Sequence, residues 1–186
     1  MSESTALDPK VWPEQPPTVP KLVPVFVINL RIANDPQAVF HDQQVDKALT
    51  LARVVNGEIK TVKDNGIGEL DASDITGFDD LALKLSANTA RLDCKLYGKV
   101  ADGSGVYITY PGVVQMRKVT TDVFERKATT SSFDDGYVTC NPSFAFDGAV
   151  ADKYKWVLKE NFIAKGRFVR DASDGLYVQY YVYALR

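Results

Sequence analysis

The sequence predicts an all-β fold, a single antiparallel β-barrel of about ten strands preceded by a Pro-rich arm. Two observations carry this reading. Short runs rich in β-branched and aromatic residues recur along the chain, and tight turn signals such as Asp102-Gly103-Ser104-Gly105 separate them. No long helical period intervenes, and closure of so many strands in a chain of 186 residues removes exposed sheet edges. A two-sheet sandwich is the alternative arrangement.

Taken in order, residues 1 to 22 carry most of the prolines at 9, 13, 16, 17, 20 and 24, which favours an extended arm. Trp12 within it suits docking across the barrel or a second subunit. The barrel domain is placed at 23 to 186. Val23 to Ala33 is the first expected strand, ended by Asn34-Asp35-Pro36. Ala38 to Thr50, with unevenly spaced apolar residues, reads as a loop with room for one helical turn, containing His41. Strands are then expected over Leu51 to Lys60, Gly66 to Ile75, Leu81 to Leu85, Arg91 to Val100 and Gly105 to Tyr110. The last third adds Tyr137 to Phe146, a helical turn around Ala149 to Lys155, Trp156 to Arg170 and Leu176 to Leu185. Lys63-Asp64-Asn65-Gly66, Asp134-Asp135-Gly136 and Asp171 to Gly175 read as further turns.

Composition narrows the function classes. A formal net charge of -2 gives no field that would attract nucleic acid or an anionic membrane, so neither is an expected partner. Cys94 and Cys140 stand in strand-like runs without metal-ligand spacing, which predicts two reduced, buried thiols. The opening residues lack the charged and apolar regions of a leader, so a cytoplasmic location is expected. His41 is the only histidine, and neither Gly-rich turn has dinucleotide or P-loop spacing, so no metal or cofactor is expected.

Two features could carry chemistry. All nine tyrosines fall in the second half of the chain, where several converging on one cavity would bind a flat, partly polar organic molecule. In Arg91 to Tyr97 the two-residue period divides Arg91, Asp93, Lys95 and Tyr97 from Leu92, Cys94 and Leu96. The ionisable face is either the solvated outside of the barrel or the cavity lining, where an Asp beside a Lys and a Tyr could serve acid/base work.

Three blocks resemble a family of small β-barrel proteins known as domain of unknown function 3237. These are Leu92-Asp93-Cys94-Lys95 followed by Ala101 to Ile108; Asn141-Pro142-Ser143-Phe144 with Tyr154-Lys155-Trp156 and Gly166-Arg167; and Val178 to Tyr183. The likeness spans roughly residues 23 to 185. Lys95 departs from the arginine usual there, and Leu158 from an asparagine, so a bidentate guanidinium contact would be lost.

The resemblance implies a calycin-like barrel with a cavity, often dimeric, with some relatives accompanying natural-product pathways. The expected function is therefore a cofactor-independent isomerase or cyclase acting on a small aromatic, polyketide-like or terpenoid-like metabolite. The alternative is a non-catalytic small-molecule carrier. Asp93 and Lys95 are the candidate catalytic pair, on a face expected to line the cavity. Arg53, Tyr97, Tyr107, Thr139, Trp156 and Tyr180 are the candidate substrate contacts.

Overall fold

Eight antiparallel strands close into a barrel and two more extend it. The computed structural model describes residues 19–186. The strands are β1 (Leu22–Ile32), β2 (Gln37–Asp42), β3 (Lys47–Thr61), β4 (Ala72–Lys84), β5 (Thr89–Val100), β6 (Gly105–Gln115), β7 (Tyr137–Cys140), β8 (Ser143–Phe146), β9 (Phe162–Arg170) and β10 (Leu176–Leu185). The closed path runs β1-β10-β9-β7-β6-β5-β4-β3, and pairing of β1 with β3 seals it. Strand β2 lies outside β3, and β8 pairs with the first half of β6. A short helix, α1 (Lys118–Phe124), and a 3-10 helix over Asp152–Lys159 are the main additions.

Register explains where the expected elements changed. The Ala38 to Thr50 stretch is not a loop: it forms β2 and the start of β3, with a register shift between Ala38 and Phe40. A bulge breaks the two-residue period, and β2 is exposed along its whole length, so no alternation marks it. His41 accordingly lies on an exposed strand. Residues 66 to 71 form a loop instead of a strand because the Asn65 side chain accepts from Ile67 N–H and Gly68 N–H and donates to Val62 C=O and Gly68 C=O. The expected Tyr137 to Phe146 strand breaks at Asn141-Pro142 into β7 and β8. Trp156 belongs to the 3-10 helix, so β9 starts only at Phe162.

The interior is asymmetric along the barrel axis. At the end where β1 and β9 begin, Phe26 packs on Phe144, Trp156 and Phe162 at ring-centroid distances of 5.6, 6.2 and 5.3 Å. Trp156 Nε1 donates to Glu69 C=O at 2.9 Å, pinning the 3-10 helix across this end. These rings make a filled plug. The other end, where β1 and β9 finish, holds the cavity. Cys94 and Cys140 are buried and unpaired between the two. Residues 1–18 of the Pro-rich arm, Trp12 among them, lie outside the described residues. The chain enters the sheet at Lys21, which exchanges two backbone hydrogen bonds with Arg186.

Candidate functional site

The cavity measures about 370 Å³ and its wall is mostly aliphatic, including Leu81, Leu92, Val114 and Val178. Strand β4 explains its one buried carboxylate. Ile75, Gly77, Asp79, Leu81 and Leu83 occupy alternate positions that point inward, while Phe78 and Ala82 point out. Gly77, at φ +154°, allows β4 to press against β5, since a Cβ there would lie 2.1 Å from Lys95 O. The next inward residue is Asp79, only 8% exposed.

Asp79 Oδ1 accepts from Asp93 N–H at 3.1 Å, and among the described residues its second oxygen has no protein donor. Burial raises its carboxyl to about 7, helped by the neighbouring Asp80 and Asp93 charges and opposed by the Asp93 N–H bond and Lys95. Register places Asp79, Cys94 and Tyr110 side by side across β4, β5 and β6. The rings of Tyr110 and Tyr180 meet edge-on at 5.8 Å. Gly166 makes room for Tyr180, because a Cβ there would sit 2.6 Å from its ring. Burial pushes both phenols and both thiols well up, so they stay protonated and act as donors. Of these groups Asp79 and Tyr180 line the cavity, at its deep end.

At the mouth, Arg170 is 8% exposed at its side chain and ties α1 to the β9–β10 hairpin. Its guanidinium donates to Val123 C=O, Phe124 C=O and Asp174. Arg126, just beyond α1, pairs with the same Asp174 at 2.6 Å.

Tyr180 alone among the eight residues singled out from the sequence lines this cavity. The expectation that Asp93, Lys95 and Tyr97 line it is corrected. Leu92, Cys94 and Leu96 are the buried face, and Asp93 and Lys95 form an outer ion pair at 2.8 Å with side chains 68% and 44% exposed. Turning that pair inward would strip two charges of water in an apolar shaft. Tyr97 stacks on Tyr107 on the same outer wall, with centroids 5.2 Å apart. Arg53 pairs with Asp35 at 3.4 Å on the surface, while its neighbour Ala52 faces the cavity. Thr139 is half-buried on β7, and Trp156 belongs to the plug at the far end. Asp79 was missed because it falls in the gap between the expected strands Gly66 to Ile75 and Leu81 to Leu85, which the structure joins into β4; a lone Asp in the inward period from Ile75 to Leu83 was the available signal.

Among the described residues, no three His, Cys, Asp or Glu side chains gather as metal ligands, and no helix is long and apolar enough to cross a membrane. No protein of curated function matches the chain. Three solved structures share the fold. A conserved protein of unknown function from Rhodopseudomonas palustris is 17% identical, covering 91% of this chain and 99% of that one, with a TM-score of 0.68. A protein with unknown function from Clostridium acetobutylicum is 15% identical over 91% and 99% of the two chains, with a TM-score of 0.64. A β-barrel-like protein from Acinetobacter baumannii is 15% identical over 93% and 99%, with a TM-score of 0.66. The family described as "Protein of unknown function (DUF3237)" matches residues 20–185, and the chain belongs to that family.

Proposed function

We propose that the barrel takes one small, mainly apolar organic molecule through its open end and exchanges a proton with it through Asp79, as a cofactor-independent isomerase or cyclase would. The observation that carries this reading is the buried carboxyl group of Asp79, the only carboxyl among the described residues that line this mainly apolar shaft, placed at its floor. Ionised Asp79 takes a proton from a carbon beside a carbonyl, and the C–H electron pair moves into an enolate. A hydrogen bond from the Tyr180 hydroxyl stabilises the enolate oxygen. Return of the same proton to a different carbon completes an isomerisation with no net oxidation. A carboxyl near 7 suits both directions of transfer at neutral pH. Small aromatic, polyketide-like and terpenoid-like ketones fit the volume and the apolar wall.

Deuterium incorporation from D2O into a panel of cyclic 1,3-diketones and β,γ-unsaturated ketones, followed by NMR, tests this. The intact protein should accelerate exchange at the acidic carbon, and Asp79→Asn should reduce that acceleration by about 100-fold or more. Equal acceleration by both proteins refutes the role of Asp79. Binding of the ketones without any acceleration favours the carrier reading.

A further inference from the structure

Building on that cavity assignment, we infer that the ligand is an amphipathic anion whose acid group stays at the mouth beside Arg126 while its apolar body fills the shaft. Among the described residues, three charged side chains line the cavity: Asp79 at the floor, and Arg126 and Arg170 at the rim. Arg170 is committed to the carbonyls of α1 and to Asp174. Arg126 uses only its Nε, towards Asp174 Oδ2, and among the described residues its two terminal amino groups have no partner. One carboxylate therefore faces two guanidinium groups, leaving one positive charge at the rim.

Three ion pairs beside the rim are neutral in themselves. Lys118 pairs with Asp122 and Lys127 with Glu125 on the α1 side, and Arg53 pairs with Asp35 across the mouth. The polarity of the shaft then fixes the ligand's orientation. An acid group at the floor would meet the Asp79 carboxyl in an apolar setting with no cation lining the floor, whereas at the rim it meets Arg126 in partial contact with water. Asp79 and Leu83 are separated along β4 by four residues, about 13 Å of strand. The acid group and the reacting carbon would accordingly lie at opposite ends of the shaft, with Leu81, Leu92 and Val178 around the segment between them.

Two fluorescent probes with one ring system separate charge from shape: 8-anilinonaphthalene-1-sulfonate and neutral N-phenyl-1-naphthylamine. Titrations would use the wild-type protein, Arg126→Gln, Arg126→Lys and the cavity-filling Ala90→Trp, at low and high NaCl, with circular dichroism confirming each fold. Arg126→Gln and high salt should each weaken the sulfonate probe by about tenfold and leave the neutral probe unchanged. Arg126→Lys should retain most of the sulfonate affinity. Ala90→Trp should weaken both probes. If Ala90→Trp blocks both probes but Arg126→Gln does not discriminate between them, the acid-ligand inference fails and the cavity reading stands. If Ala90→Trp leaves both unchanged, both readings fall.

Discussion

Replacing Asp79 by Asn should make the protein more stable, by an amount that grows with pH. The carboxyl titrates at about 7 in the folded chain against an ordinary 3.8. A raised carboxyl is protonated in both folded and unfolded chains below about pH 4. Between 3.8 and about 7 only the folded chain keeps the proton, so stability falls as pH rises through that window. Above it the full penalty applies, about 4 kcal/mol at 1.36 kcal/mol per pH unit. Asn carries no such penalty and its Oδ1 can still accept from Asp93 N–H. The stability difference between variant and wild type should therefore widen by about 2.5 kcal/mol from pH 5 to pH 8, or roughly 5–10 °C in Tm. Paired urea melts at the two pH values measure it, and all other titrations cancel in the difference to first order. A difference that stays flat would refute the buried, proton-holding Asp79.

Lys95→Met and Asp93→Asn should each leave the urea midpoint and probe binding close to wild type, because the pair is exposed on the outer wall; a tenfold loss of affinity would return these residues to the site. Gly77→Ala should cost about 3 kcal/mol or more, since its Cβ would collide with Lys95 O and push β4 away from β5. A urea midpoint near wild type would show that the two strands can part there without loss.

The barrel was legible because its strands announce themselves by period, as in Leu92-Cys94-Leu96 on β5 and Val178-Tyr180-Val182 on β10. Periodicity divides a strand into two faces without saying which is inside, and a barrel offers a polar face two environments. On β5 that choice decided the site: three apolar residues face inward, and the charged pair that looked catalytic is in water. On β4 the reverse holds. A lone carboxylate sits at a core position, held by a backbone amide from the neighbouring strand, and that contact across strands leaves no local trace in Gly77-Phe78-Asp79-Asp80. Bulged, fully exposed β2 likewise lacks the alternation by which a half-buried strand is recognised.

The ring cluster of Phe26, Phe144, Trp156 and Phe162 turns the barrel into a cul-de-sac. With that end filled among the described residues, a molecule admitted past Arg126 and Arg170 would leave by the same route, with nothing to push it from behind. Exchange in the proposed function would then be strictly sequential: departure of one occupant would precede arrival of the next, its dissociation rate would be independent of competitor concentration, and a product formed inside would compete directly with fresh substrate for the same doorway.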